Sequence, residues 1–462
     1  MTFGNVKQNI TVLAASNLII GLIEFVFNMY LSRILGAEGL GLLSLVAPVN
    51  ALFLSFMTEG IVVTMSKISA KHNHFGRYEA MDKTVKVATV ASFFWSLLLV
   101  GVIWLTAGPI ASGFLGDPQL VYPILATCPL MMLMSVSNIV KGHFLGLAKI
   151  KVPSAINISE KLLRFPILYC LIRFLLNRTG LPPVTLVYLC YAIGEMQSVL
   201  FLLLYYKKTR PRECSYEASG KSLLRGWSSK ASSRKITLRE VKDILVPLAK
   251  GAAPICLTQC VLEGVNAFSS VIVKLRLCTI GYTAPEALSL LGKYKGMVFP
   301  LMAYPMILVG ATCSIVVPKI STMTAAGKGR FADRLIKRSL ALAFFIGILT
   351  LFIFWIFADD MGYLFYKRSD LGFMIRMAGL CSPLLYMTAT STSLLIGIGQ
   401  EGQSFRNSLL QQLLLLIFLM IFTGIPSLNI YGYIVAIAIS NAILLILNLY
   451  SLKLHRTTQV SS

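Results

Sequence analysis

Charge is scarce in this sequence. Asp, Glu, Lys and Arg together supply 13% of its 462 residues, about half of the roughly 25% usual in soluble domains, so the chain lacks the polar surface that would keep it in water. Acids are scarcest, 19 against 42 Lys and Arg. Cysteine is present but carries no disulfide framework, because the nine residues are an odd set scattered mostly through apolar runs. Cys256 and Cys260 fall on one helical face, and His72-Asn73-His74 lies in a basic loop, yet neither pair has the further ligands a metal needs. There is no glycine-rich loop ending in Gly-Lys-Ser/Thr, which excludes an ATP-driven pump built on this chain alone. Nor is there the strict alternation of an outer-membrane barrel. The opening MTFGNVKQNI runs into its first apolar stretch without a small-residue cleavage site, so that stretch reads as an uncleaved helix rather than a signal peptide. No cofactor and no metal are expected.

Long apolar runs are what the chain has instead. Hydrophobic residues make up 56% of it, and runs of about 20 residues are transmembrane helix candidates. They predict twelve spans, near 8–33, 40–66, 87–107, 119–140, 152–172, 185–206, 243–273, 287–318, 339–358, 372–398, 407–425 and 430–451. The fold class is therefore an all-α polytopic membrane protein. The net charge of +23 could suggest nucleic acid, but its placement argues otherwise. With the N-terminus inside, 29 of the 42 Lys and Arg fall on inner segments and six on outer ones. That asymmetry is the positive-inside pattern and puts both termini in the cytoplasm, with attraction to anionic lipid headgroups as a second effect.

The chain also repeats itself. LSRILGAEGLGLLSLVAPVNALFLSFMTEGIVVTMSKISA (31–70) combines a charged turn, a membrane-length run, one embedded acid and a basic exit. About 252 residues later, LLGKYKGMVFPLMAYPMILVGATCSIVVPKIST (290–322) has the same layout, with Pro318-Lys319-Ile320-Ser321 standing where Ser66-Lys67-Ile68-Ser69 stood. Cys381-Ser382-Pro383 follows Cys128-Pro129 at nearly the same offset. The pattern predicts a six-helix bundle over 1–206, a basic cytoplasmic linker over 207–240 and a second six-helix bundle over 241–462. A capping box at Thr237-Leu238-Arg239-Glu240 is expected to restart the helix. Even-numbered halves share an orientation, with a substrate path between them. That layout describes a transporter better than an enzyme.

Charges inside the spans are the candidate functional groups, since each costs roughly 2.5–3.5 kcal/mol at mid-bilayer and so tends to face a partner or a wet cavity. Glu24 and Glu263 lie near mid-span with no cation at helical spacing. Glu160 and Arg164, four apart, either form a local ion pair or face a cavity, while Lys161 points elsewhere and can snorkel. Glu59 lies about two turns from the inner surface and could bridge to Lys67. Arg33 closes the first span, as an outer phosphate anchor or an interfacial one. Lys293 and Lys295 stand within two or three turns of the outer end, suited to headgroups or to a cavity. Lys250 and Arg376 favour the headgroup reading. Pro48, Pro129, Pro300, Pro305 and Pro383 are expected to kink or loosen their helices.

At Arg33-Ile34-Leu35-Gly36-Ala37-Glu38-Gly39-Leu40-Gly41 the chain resembles the stage V sporulation protein B family. The likeness continues through Pro48, Gly60-Ile61-Val62-Val63 and Ser66-Lys67-Ile68. It resumes at Lys141-Gly142-His143-Phe144-Leu145-Gly146-Leu147, at Glu286-Ala287-Leu288-Ser289-Leu290, at Gly296-Met297-Val298-Phe299-Pro300-Leu301 and at Pro318-Lys319-Ile320-Ser321. That family belongs with the multidrug/oligosaccharidyl-lipid/polysaccharide exporters. The resemblance implies a MATE- and MurJ-like fold of two six-helix bundles facing each other in a V, alternating access, and a cationic cavity for a lipid diphosphate. Lys293 and Lys295 depart from the apolar or small residues expected before Gly296-Met297. Two C-terminal helices found in some relatives are not expected here. The reading is a flippase for a polyprenyl-diphosphate oligosaccharide or peptidoglycan precursor in a bacterial cytoplasmic membrane. It would act as a monomer, with lipid-linked sugar and membrane lipids as partners and a proton or cation as coupling ion. The alternatives are a MATE-like organic-cation antiporter, with embedded Glu residues as cation sites, and a non-transporting partner in an envelope complex.

Overall fold

The computed structural model describes residues 3–176, 178, 180–220, 238–325 and 329–461, and among them every regular element is helical. In chain order these are α1 (Phe3–Thr58), α2 (Ile61–His74), α3 (Tyr78–Pro109), α4 (Val121–Ala126), α5 (Cys128–Gly146), α6 (Lys151–Leu171) and α7 (Pro183–Gly220). After residues 221–237 come α8 (Leu238–Thr279), α9 (Ala284–Gly292), α10 (Phe299–Ala325), α11 (Gly329–Tyr366), α12 (Gly372–Gly397), α13 (Glu401–Phe422) and α14 (Tyr431–Ser461). Thr237 of the expected capping box lies outside the described residues. A capping box does open α9, where Thr283 and Glu286 bond reciprocally.

Among the described residues, ten helical stretches are long and apolar enough to cross a membrane, against the twelve spans expected. The difference lies in the stretch Ala14–His74, which covers the first two expected spans in one 61-residue run, and in α6, which covers the expected fifth but carries Glu160, Lys161 and Arg164 within it. The turn expected at Gly36-Ala37-Glu38-Gly39 is a kink within α1. Gly36 adopts φ 66°, ψ −172°, a conformation open to glycine because it has no Cβ. A second break separates α1 from α2 at Gly60, φ 75°. Pro129 sits in the first turn of α5, where a missing N–H costs nothing. Pro48 lies inside α1 without interrupting it. The segment expected as a linker contributes helix at both ends, since α7 continues to Gly220 and α8 begins at Leu238.

Two compact units form. One contains Met1–Val49 and Leu262–Ser462, the other Asn50–Val261. The two halves of the sequence repeat and the compact units of the fold are thus different partitions of the chain. Close backbone packing explains the first. A Cβ on Gly292 would stand 1.9 Å from the Ala37 carbonyl oxygen, and one on Gly41 would stand 2.0 Å from that of Leu288, so glycine lets α1 lie directly on α9. In the second, a Cβ on Gly251 of α8 would stand 2.6 Å from Thr64 Cγ2 of α2. The core of the first unit includes Ile320, Ile336, Leu394, Leu395 and Leu452, with Tyr386 fully buried beside Val309 and Ala343. The second is built on Met65, Val85, Ala88, Ile139 and Leu248, and on Val140, Phe144 and Leu202.

Candidate functional site

Lys293 and Lys295 lie on a π-helical turn, Lys293–Val298, inserted between α9 and α10. Pro300 permits the widening, because it has no N–H to return to the carbonyl of Gly296. Such π-bulges often mark functional positions. The turn separates the two lysines. Lys293 Nζ stands 2.7 Å from Asp370 Oδ2, a residue in the α11–α12 connection that Arg368 also grips through two bonds of 2.8 and 2.9 Å. The Arg368 guanidinium, aided by Lys293 and opposed by partial burial, holds the Asp370 carboxyl well below the usual carboxylate range. Lys295 turns inward: its Nζ donates to Ser270 Oγ of α8 at 2.6 Å and lies 5.6 Å from the centre of the Tyr433 ring of α14. Tyr433 packs edge-on to buried Tyr294, centroids 5.0 Å apart. Lys295 has no carboxylate partner among the described residues, so an embedded positive charge is left uncompensated within this unit.

Three other expected residues belong to the same unit. Glu263 accepts a bond from Asn266 Nδ2 at 3.4 Å, one turn along α8. Glu24 is exposed on α1, next to Phe25, whose ring meets Tyr304 at 4.0 Å and Phe365 at 5.3 Å. The Tyr304 hydroxyl donates to the carbonyls of Gly21 and Leu22. Arg33 is exposed just before the kink.

The second unit holds a buried charge cluster on α5, α6 and α7. Arg164 Nε donates to Glu160 Oε1 at 2.6 Å, the local pair that the four-residue spacing predicts. Lys161 also reaches Glu160, at 3.7 Å, where the sequence pointed it away. Glu160 is 2% exposed and fits against Gly194, where a Cβ would come within 3.0 Å of its Oε1. The Arg164 guanidinium lies 4.4 Å from the centre of the Tyr191 ring. Beside this cluster Lys141 pairs with Glu195 at 3.2 Å. Glu160 is thus shared by Arg164 and Lys161, and Glu195 is held by Lys141. Glu59 is half-buried at the α1–α2 break, and its backbone carbonyl accepts the Cys256 thiol.

Of the eight expected site residues, Glu160 and Arg164 are directly joined. Arg376, expected at the headgroups, pairs with Asp359. Sequence reasoning missed Asp370, whose partner lies far along the chain, and Lys274, which is buried on α8 although it falls just past the predicted seventh span. Its signal was weak: one cation beside a span end reads as an anchor.

Comparison with known proteins places this geometry in a lineage. The signature described as "Polysaccharide biosynthesis protein" matches residues 6–324. Stage V sporulation protein B of Bacillus subtilis (strain 168) is 21% identical over 97% of this chain and 83% of that protein. Sporulation protein YkvU of the same organism is 19% identical over 95% and 92%. Among solved structures, the inward-facing conformation of a multidrug resistance MATE family transporter of the MOP superfamily superposes with a TM-score of 0.70. It is 16% identical, over 97% of this chain and 99% of that one. A MOP superfamily transporter from Pyrococcus furiosus gives 0.66 at 16% identity, over 99% and 97%.

Proposed function

Because the chain belongs to the polysaccharide biosynthesis protein family, whose fold and relatives are those of multi-pass membrane transporters rather than catalysts, we propose that it flips a polyprenyl-diphosphate-linked saccharide across the cytoplasmic membrane. The observation that carries this reading is Lys295, a half-buried cation with a hydroxyl and an aromatic face for company and no acid among the described residues. A diphosphate supplies the missing charge. Its headgroup cannot cross hydrocarbon unaided, so an embedded cation free to receive it lowers that barrier. Arg33, exposed in the same unit, is a further phosphate contact in this reading. Both termini face the cytoplasm in this reading, and the chain works as a monomer.

A second reading, a MATE-like organic-cation antiporter, is favoured by Glu263, whose carboxylate is bonded only to a neutral amide among the described interactions. Proteoliposomes separate the two. A fluorescent polyprenyl-diphosphate sugar placed inside should become quenchable from outside at a protein-dependent rate. Lys295→Ala should slow that rate about 10–100-fold, the worth of a charged hydrogen bond of roughly 1.5–3 kcal/mol, with folding intact. A wild-type rate in the variant would sink the flippase assignment. Proton-driven efflux of an organic cation, abolished by Glu263→Gln, would establish the antiporter instead.

A further inference from the structure

Away from the embedded charges, the second unit contains a cavity of about 740 Å³ where the end of α2 and the start of α3 meet the start of α8. Its size is that of a pocket for a small organic molecule. Its lining combines the apolar Ile68, Ile244 and Pro247 with charged groups from both sides, Lys71, Arg77, Glu79 and Lys83 on one and Glu240 and Asp243 on the other.

The rim charges are not self-satisfied. Lys83 is shared between Glu79 and Glu240, at 3.9 Å from each, which leaves those three groups with one negative charge in excess. Lys71 and Arg77 have no carboxylate within ion-pair distance among the described residues; Arg77 instead lies 5.7 Å from the centre of the Phe75 ring. Asp243, across the cavity lining, likewise has no cation partner among them. Between the two free cations sits His72, whose pKa is pushed down by burial and then by Arg77 and Lys71. It is therefore a neutral hydrogen-bonding group near pH 7.

Two unpaired cations and one unpaired carboxylate beside apolar lining residues select for a particular chemistry. A polyanion such as a nucleotide meets the acids of the far wall, and a simple amine meets the two cations. A zwitterion with a phosphate at one end and an ammonium at the other satisfies both rims. We propose that this cavity binds a phosphate ester bearing an ammonium group, of the phosphoethanolamine type. The same chemistry occurs on a phospholipid headgroup and on a soluble metabolite. The cavity lies at the end of spans, within reach of a headgroup. It is independent of the transport reading.

The test is calorimetric titration of the full-length protein in maltoside detergent with O-phosphoethanolamine, ethanolamine, inorganic phosphate and ATP. Saturable binding of phosphoethanolamine is expected, at least 10-fold tighter than of the other three. The Lys71→Ala/Arg77→Ala double variant should weaken it at least 10-fold. Asp243→Asn should reduce it to the affinity of inorganic phosphate. Arg77→Lys, which keeps the charge, should lose less than 3-fold and serves as the folding control, with melting temperature read on every variant. Mixed micelles containing phosphatidylethanolamine distinguish the sources: competition identifies the lipid headgroup as occupant, and unchanged affinity identifies the soluble ester. Absence of saturable binding overturns the proposal. So does ATP binding as tightly as phosphoethanolamine, or an affinity indifferent to both Asp243→Asn and the double variant.

Discussion

Glu160 and its two cations show how a buried charge behaves at the scale of one residue. The Glu160 side chain is 3% exposed, against 14% for Arg164 and 18% for Lys161, so the acid is the most deeply buried of the three and its cations are mostly shielded from water. Breaking a buried pair from one side typically costs about 3–5 kcal/mol, because the remaining charge is stranded. Glu160→Gln should therefore lower the melting temperature in detergent markedly, and combining it with Arg164→Gln should recover part of the loss. Asp370 behaves differently because it is 42% exposed and outside the spans. Its carboxyl is depressed by Arg368 and Lys293. Its contribution is therefore complete above the unfolded value near ~3.9 and fades only as pH falls below it. The difference in melting temperature between wild type and Asp370→Asn should be constant from about pH 8 to pH 5 and shrink below about pH 4. A difference already vanishing at pH 6 would remove Asp370 as the residue holding the π turn. The Glu160–Arg164 pair was legible in the sequence because helical spacing encodes it. The Lys293–Asp370 and Lys141–Glu195 pairs were not, since nothing local links residues separated by a loop or by whole helices.

Elements meet in this fold wherever glycine removes a side chain. Gly41 and Gly292 sit on opposite helices with their backbones interlocked, each where a Cβ would fall within 2.0 Å of the other helix's carbonyl. Neither clash is with a flexible side-chain end, so neither can be relieved cheaply. Gly292→Ala should force α9 away from α1, costing on the order of 1–3 kcal/mol as overpacking does and shifting the π turn that starts at Lys293. The readouts are the melting temperature and the accessibility of a Lys295→Cys probe in the same background. Gly310→Ala is the control, because a Cβ there meets nothing within 4 Å. The Gly36 break was legible, as GAEG between two apolar runs marks a turn. The break at Gly60 was not, because Glu59-Gly60 is flanked by apolar sequence on both sides and its φ of 75° reflects the approach of α8 at Ala252, which is a tertiary fact. The π turn at 293–298 was hidden for the same reason: Pro300 alone allows a kink, and only packing decides its form.

Over the whole molecule, the periodicity of apolar runs was enough to place every expected span on a helix, because membrane solvent imposes length and hydropathy on each one separately. Which spans pack together is not written in that pattern. The first part of α1 joins the unit formed mostly by the C-terminal half, and the start of α8 joins the other, an exchange set by backbone fit at Gly41, Gly292 and Gly251 that composition does not reveal. Orientation, by contrast, is carried by charge distribution. The basic loops all fall on one side when twelve spans are threaded, and an even number returns the chain to the side it started from. Thr2→Cys and Ser461→Cys should then both resist a membrane-impermeant maleimide in intact cells and both react after permeabilisation. A cysteine at Asp117, in the connection before α4, should react without it. Termini labelled from opposite sides would mean that one stretch does not cross. The stretch most exposed to that outcome is α6, which carries Glu160, Lys161 and Arg164, paired with one another along the helix itself. Replacing Glu195 and Lys141 together with apolar residues should leave the labelling pattern unchanged, because it removes a balanced pair. Replacing Glu160 alone with Lys should retard insertion of α6 and lower the yield of correctly oriented protein.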